Sequence, residues 1–263
     1  MSPPKQKVLD RLLLMELVAD KDEALAQVLS GNVVSDKKRF SSLHDWVEAD
    51  DVLRLKTPKR QYVSRGGEKL ASVFGDFGLP MEHLVGLDAG ASTGGFTDFC
   101  LQQGAAGMIS VDVSYGMLAH SLRIDPRVVA VERTNIRKLS ANKLNTLLTK
   151  LQKHAPAPLQ APVDFIVGDL SFISIRQVLP SLLNFLKPGG WMILLIKPQF
   201  EARSEQIPEG GVILDPALRE QIVDSVEDSA KHLPLETLGI IPSGLTGREG
   251  NQEYFWGIKS LKY

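Results

Sequence analysis

The period of the hydrophobic positions changes partway along the chain. From about residue 5 to 56, short apolar runs alternate with charge, and Val8-Leu9, Leu12-Leu13 and Met15-Glu16-Leu17 recur at helical spacing. Asp20-Lys21-Asp22-Glu23 sets an acid at an N-cap and a second acid three positions on, a helix start signal. The helix it opens is expected over Ala24 to Ser30, with Gly31 in the left-handed position that ends it. Val33-Val34 and Val52-Leu53-Arg54-Leu55 read as short strands. From about residue 67 the pattern becomes strand and helix in alternation. Strands are expected at Leu84–Asp88, Met108–Val113, Val128–Glu132, Phe165–Val167, Trp191–Ile196, Thr237–Ile241 and Tyr254–Ile258. Helices are expected from Gly95, over Ala141–Gln152, over Ile175–Phe185 and over Pro216–His232. This alternation predicts an α/β fold with a doubly wound, mainly parallel, Rossmann-like sheet, preceded by a small α+β domain. The expected boundaries are 1–56 for the small domain, 57–66 for a basic linker and 67–263 for the large domain. His154-Ala155-Pro156-Ala157-Pro158 reads as a spacer loop.

Composition narrows the function classes. A net charge of −1 gives no global basic signal, so a nucleic-acid surface must be a local patch. The single Cys100 leaves no disulfide framework and no cysteine metal cluster, which suits a reducing compartment. The longest apolar stretch here, Trp191–Ile196, falls far below the roughly 20 residues of a membrane span. Asp10 and Arg11 interrupt the N-terminal apolar run, unlike a secretion signal, and a cytoplasmic location is expected.

The first strand of the large domain runs into Asp88-Ala89-Gly90-Ala91-Ser92-Thr93-Gly94-Gly95-Phe96. Glycines let a backbone turn sharply and approach a ligand. The loop is not a dinucleotide G-x-G-x-x-G, because Ser92 stands where its second glycine would, and no Gly-Lys-Ser/Thr follows as in a P-loop. Its D-x-G-x-x-x-G-G form resembles the first motif of S-adenosylmethionine-dependent methyltransferases. Asp112, at the end of the next strand, has the spacing of an acid that accepts ribose hydroxyls. Glu132-Arg133-Thr134-Asn135 follows the third strand, where such folds contact adenine.

Four dispersed residues carry the candidate chemistry: Lys69, Asp169, Lys197 and Glu253. Asp169 follows an apolar strand and Lys197 ends the most hydrophobic one, so both fall at carboxyl ends, where open α/β sheets place their sites. Taken singly, each has a plainer reading as a helix cap, a snorkelling lysine or an edge charge. As a set, two lysines and two carboxylates suit proton removal from a hydroxyl nucleophile beside a phosphate-bearing polymer.

The motifs Tyr62-Val63-Ser64-Arg65-Gly66-Gly67-Glu68-Lys69-Leu70, Leu87 to Asp98, Asp169-Leu170-Ser171-Phe172-Ile173-Ser174 and Ile196-Lys197-Pro198-Gln199-Phe200-Glu201 resemble those of the TlyA/hemolysin-A family. The resemblance covers about residues 62 to 258. It implies an FtsJ-like, S-adenosyl-L-methionine-dependent rRNA 2′-O-methyltransferase, acting on ribosomal RNA or ribosomal subunits without a metal. It implies Lys197 as base, Asp169 as the group that orients it, and Lys69 and Glu253 as ribose-positioning residues. Asp88, Gly90, Ser92, Gly94, Gly95, Phe96 and Asp112 fall at cofactor positions. Residues 7 to 55 resemble a divergent copy of the family's small RNA-binding domain. The usual start, Arg-Leu-Asp, reads Asp10-Arg11-Leu12 here, and the second helix opens Asp22-Glu23-Ala24 without its basic contact. Lys37, Lys38, Arg39, Lys59, Arg60 and Arg65 are the expected alternative basic surface. Two rival readings remain, a non-catalytic ribosome-associated module and a membrane-damaging protein. Acids at Asp10, Glu16 and Asp20 beside Leu12–Val18 oppose the second.

Overall fold

The computed structural model describes residues 5–48, 50–56, 61–151, 162–247 and 249–261. Lys59, Arg60 and the expected spacer loop His154–Pro158 lie outside the described residues. The chain divides into two units, Met1–Gln61 and Tyr62–Tyr263.

The first unit contains β1 (Gln6–Lys7), α1 (Val8–Leu14), α2 (Lys21–Leu29), β2 (Val33–Val34), β3 (Trp46–Val47) and β4 (Arg54–Leu55). Asp20 caps α2 by accepting from the Glu23 amide at 2.8 Å, and Glu23 reaches back to the Ala19 amide at 2.6 Å. The reciprocal cap forms, displaced by one residue from the usual box. Gly31 takes φ +66° after α2, the left-handed turn its position predicts. β1 pairs with β3 and β2 with β4, both antiparallel. At two residues each, β1 and β3 are too short to show a period in the sequence. Val8, Leu12, Ala24, Val28, Val33, Phe40, Val47 and Leu53 form the core of this unit.

The second unit runs α3 (Arg65–Phe74), β5 (Val85–Ala89), α4 (Gly95–Gln102), β6 (Gly107–Val111), α5 (His120–Arg123), β7 (Val128–Val131), α6 (Ala141–Leu151), β8 (Val163–Gly168), α7 (Ile175–Phe185), β9 (Leu186–Ile196), α8 (Pro198–Glu201), α9 (Pro216–Ser229), β10 (Leu235–Pro242) and β11 (Tyr254–Ser260). The seven strands lie in the order β10-β11-β9-β8-β5-β6-β7. Strands β5 to β9 pair in parallel, and β11 enters antiparallel between β9 and β10.

Period-two alternation splits the strand side chains between two apolar layers. Leu87, Ile109, Ile166, Met192 and Leu194 face the layer of α6, α7 and α9. Met108, Phe165, Val167, Ile193 and Leu195 face that of α3 and α4. Burial on both faces is why Trp191–Ile196 reads as an unbroken apolar run. β9 begins five residues earlier than that run, because Leu186 pairs with Val163 while Trp191 pairs with Phe165, and Lys187–Gly190 bulge between them.

The expected linker differs from the structure at its distal end. Tyr62 is buried in the α3–α4 layer and Ser64 is the N-cap position of α3, so the second unit begins before residue 67. The cations of that stretch suggested a solvated connector, but the apolar mass of Tyr62 outweighs them. α3 and α4 meet at glycine. A Cβ on Gly95 would lie 2.7 Å from the Gly67 amide nitrogen, and one on Gly67 would lie 2.9 Å from the Gly95 carbonyl.

Candidate active site

β5 has β6 on one side and β8 on the other, so the sheet order reverses there and opens a crevice beyond the carboxyl ends. The Gly-rich loop leaves β5 at this point. Gly90 and Ala91 donate to the Val111 carbonyl at 2.9 and 3.1 Å, which folds the loop onto β6. Gly90 has φ +87°, and a Cβ there would stand 2.6 Å from the Asp169 carbonyl oxygen. Glycine is therefore what lets the β8 exit lie against the loop. Gly94 has φ +95° and opens α4, and a side chain there would strike Leu122.

Asp88 is fully buried. Its Oδ2 accepts from the Thr97 amide at 3.0 Å and from the Thr97 hydroxyl at 2.7 Å, while Oδ1 has no donor among the described residues. Burial pushes its pKa up to about 7. The Thr97 hydrogen bonds oppose that rise, and the nearby Asp169 and Asp112 charges add to it. Three carboxylates thus converge around the loop. Such a field favours a cation and disfavours phosphate. Asp112 accepts from the Ser92 amide at 2.8 Å, the Ser114 amide at 2.7 Å and the Ser114 hydroxyl at 2.5 Å. A carboxylate offers about four acceptor positions, so most of its capacity is already taken, one by the Gly-rich loop and two by Ser114 after β6. Glu132 is likewise engaged, with Arg123 at 2.6 Å and the Gly116 amide at 2.8 Å.

Gly95 and Phe96 also pack the helix that follows the loop. Gly95 is the contact point with α3, and Phe96 is buried in the α3–α4 layer with its ring 6.0 Å from that of Phe255. Through both residues the helix that follows the loop packs closely on α3 and the core.

The four polar candidates form two ion pairs. Lys197 Nζ lies 2.5 Å from Asp169 Oδ1 and 2.8 Å from the Ser171 hydroxyl. Lys69 Nζ and Glu253 Oε2 form a short buried contact. Lys69, Lys197 and Glu253 are all buried, at 9, 9 and 3 % exposure. The pairs are neighbours through the sheet: Tyr254 sits opposite Ile196, so Glu253 and Lys197 flank the same end of the β9–β11 ladder. Charges desolvated to this extent are costly unless paired, and pairs of this kind gather at functional sites.

Other residues support these pairs without having been singled out in the sequence. Glu201 accepts from the Ser174 hydroxyl at 2.5 Å and the Ile175 amide at 2.7 Å, tying the segment after Lys197 to the segment after Asp169. Burial raises the Glu201 pKa, opposed by those hydrogen bonds and by Arg176. Asn251 is buried and bridges the Gly211 carbonyl and the Ile213 amide, fixing the approach to Glu253. Phe172 is 91 % exposed at φ +62°, with its ring 5.1 Å from Phe200. An aromatic residue in the left-handed region is a strained arrangement of the kind found at functional sites. The one sequence signal for these residues is their place beside the motif acids and lysines.

The described residues of the expected basic surface fall in both units. In the first unit Lys37, Lys38 and Arg39 are exposed. Lys37 is held by Asp50 at 2.8 Å and Asp51 at 3.3 Å, and Lys38 donates to the Trp46 carbonyl. In the second unit Arg65 is exposed at the start of α3 and donates to the Thr246 carbonyl at 3.4 Å. Among the described residues no cluster of three metal-ligating side chains occurs, and no helix is long and apolar enough to cross a membrane.

The FtsJ-like methyltransferase family matches residues 62–260. The chain is 42% identical over 202 residues to TlyA of Mycobacterium tuberculosis, named a 16S/23S rRNA (cytidine-2′-O)-methyltransferase, covering 77% of this chain and 70% of that protein. It is 35% identical over 228 residues to Hemolysin A of Brachyspira hyodysenteriae, covering 86% and 88%. A solved structure described as a hemolysin from Streptococcus thermophilus superposes with a TM-score of 0.70 at 32% identity, over 98% of this chain and 89% of that one. With the Gly loop, the switch-point acids and the two lysine–carboxylate pairs in one unit, the chain belongs to the TlyA/hemolysin-A family of FtsJ-like methyltransferases.

Proposed function

We propose that this protein transfers a methyl group from S-adenosylmethionine to a ribose 2′-hydroxyl of ribosomal RNA, with Lys197 as the base. The observation that carries the reading is the Lys197–Asp169 pair, whose Asp169 backbone abuts Gly90 of the Gly-rich loop. The residues fit the cofactor. The donor-free Asp88 oxygen and the three converging carboxylates suit an ammonium and a sulfonium, and Gly90 lets the loop lie against the Asp169 backbone. Asp88, Gly90, Ser92, Gly94 and Asp112 would hold it, with Gly95 and Phe96 shaping the loop from behind. When bound, S-adenosylmethionine supplies an electrophilic methyl group on a sulfonium.

The chain's own residues supply alignment and a proton acceptor. An in-line displacement needs its nucleophile held at near-attack distance more than it needs electrophilic help. The hydroxyl proton passes to the Lys197 amine as the ribose oxygen takes the methyl, so one positive charge moves from sulfonium to ammonium. Asp169, in contact with that amine, stabilises the ammonium that forms. Lys69, fixed by Glu253, places a second cation where the sugar and its phosphates approach. Phe172 offers an exposed face on which a base can stack. In the first unit Lys38 and Arg39, together with Lys59 and Arg60, would add backbone contacts, with Arg65 acting from the second.

The test is transfer of labelled methyl to ribosomal particles and to naked rRNA, wild type beside Lys197→Ala. Label recovered as a 2′-O-methylated nucleotide, and reduced by about 10²- to 10⁴-fold in the variant, is expected for loss of a general base. Cofactor binding without transfer to any RNA would support the non-catalytic reading. Failure to bind the cofactor would overturn the assignment of the loop.

A further inference from the structure

Ser171 stands between the two candidate reacting carboxyl ends and has no evident local duty. A serine just before a helix ordinarily caps it, but Ser174 performs that task for α7, accepting from the Arg176 amide. Ser171 instead lies 26 positions from Lys197 in sequence and meets its amine at 2.8 Å. Its own place is over-determined. Asp169 is tied to β5 through the Ala89 carbonyl, Phe172 turns the chain at φ +62°, and Ser174 and Ile175 are clamped by Glu201. The backbone reverses immediately after Ser171, which turns the Phe172 ring out to solvent while the serine hydroxyl stays on the lysine.

An amine nitrogen has four tetrahedral directions. In Lys197 one is the bond to Cε and one meets the Ser171 hydroxyl, the one hydrogen-bond partner of this amine among the described residues. Asp169 Oδ1 lies 2.5 Å away as an ion-pair contact and itself has no hydrogen-bond donor among the described residues, so it attracts the positive edge of the amine without fixing its direction. In the neutral amine the N–H held by Ser171 leaves two directions for the lone pair, and repulsion from the Asp169 carboxylate turns the lone pair to the one facing away. Without Ser171 the amine can rotate about its Cε–Nζ bond and present an N–H bond in place of the lone pair. We propose that Ser171 is a positioning residue that fixes this rotation, so that the Lys197 lone pair is aimed at the acceptor hydroxyl. The inference deepens the methyltransferase reading and rests on it. No atom of Ser171 is consumed: the proton moves from the hydroxyl to Lys197 Nζ, and Ser171 accepts a hydrogen bond before and after.

The experiment measures kcat and KM for RNA methylation by the full chain in four forms: wild type, Ser171→Ala, Ser171→Thr and Lys197→Ala. Cofactor affinity is determined in parallel. Ser171→Ala is expected to lower kcat by about tenfold, the scale of one hydrogen bond, with KM and cofactor affinity within about twofold of wild type. Ser171→Thr, which restores a hydroxyl, is expected to recover most of the rate. A Ser171→Ala enzyme with unchanged kcat overturns the assignment, as does a loss carried in KM or in cofactor affinity. An alanine defect that threonine does not rescue also overturns it. If wild type transfers methyl and Lys197→Ala is equally active, the base itself is wrong and Ser171 falls with it. If Lys197→Ala is inactive and Ser171→Ala is normal, only the Ser171 inference is lost.

Discussion

The two units of this protein differ in where their buried charges gather. In Met1–Gln61, Lys5 meets Glu48, Lys37 meets Asp50 and Arg54 meets Asp36, all with side chains about half exposed or more, and the buried Asp51 is paired, among the described residues, only with the exposed Lys37. In Tyr62–Tyr263, Lys69, Glu253 and Lys197 are nearly removed from water, and Asp88 wholly so. Exposed pairs gain little, because water and salt screen them and long side chains lose freedom. Buried pairs carry a desolvation penalty that an apolar substitute would avoid. Where a fold retains several at one sheet end, packing alone gives no reason for them. The contrast therefore locates the chemistry in the second unit by physical argument, apart from any resemblance.

Four perturbations would break or sharpen that contrast, and the largest is at Lys197. Lys197→Ala should remove transfer by about 10²- to 10⁴-fold and leave the secondary structure seen by circular dichroism intact. A stable, inactive variant means that the buried lysine serves chemistry; retained activity would reduce it to a structural charge.

The Lys69–Glu253 pair comes next. Removing one partner strands a buried charge, so Glu253→Leu should lower unfolding free energy by about 3–5 kcal/mol in denaturant titrations. The double variant Lys69→Met with Glu253→Leu should regain most of that stability without regaining methyl transfer. Recovery of both would show that the pair is dispensable to the reaction.

Asp88 gives a pH signature. Its pKa is raised from 3.8 to about 7, so between about pH 4 and 7 the folded chain keeps a proton that the unfolded chain releases. Stability should fall as pH rises through that window, by up to ~4 kcal/mol if the whole difference is expressed. Asp88→Asn should flatten Tm against pH there. A cationic cofactor would favour the ionised form, so its binding near pH 7 should release a proton, seen as buffer-dependent heat in calorimetry. Equal heats in buffers of different ionisation enthalpy would argue against Asp88 facing a cation.

The smallest effect belongs to the first unit. Lys37 has the exposed Asp50 and the buried Asp51 as partners and is itself more than half exposed, so Lys37→Ala should lower Tm by no more than about 4 °C in a chain of this size. It should change RNA affinity by less than about twofold, whereas a large loss would show that RNA displaces Asp50 and Asp51.

Much of this architecture was legible along the chain. Ile175–Phe185 shows an uninterrupted apolar stripe, and α7 has those limits. The unbroken run Trp191–Ile196 announced a strand covered on both faces, since alternation disappears when neither face meets water. The linker misled because Lys56, Lys59, Arg60 and Arg65 outnumber the lone Tyr62, whose ring packs against Phe99 far along the chain. The strands β1 and β3 left no trace, because two residues have no period.

The sequence by itself determined the element types, the parallel α/β class and the identity of four chemical groups, because apolar period, turn residues and motif chemistry are local properties. The resemblance already joined Asp169 to Lys197; only the tertiary structure decided that Lys69 meets Glu253, and that most of Asp112's acceptor capacity is taken by Ser92 and Ser114. It alone showed that Phe96 fills a core and that Ser171 reaches Lys197. Apart from Asp112–Ser114, these are contacts between residues about twenty to nearly two hundred positions apart, set by strand order and register, and no local pattern encodes the distance between two side chains brought together by a sheet.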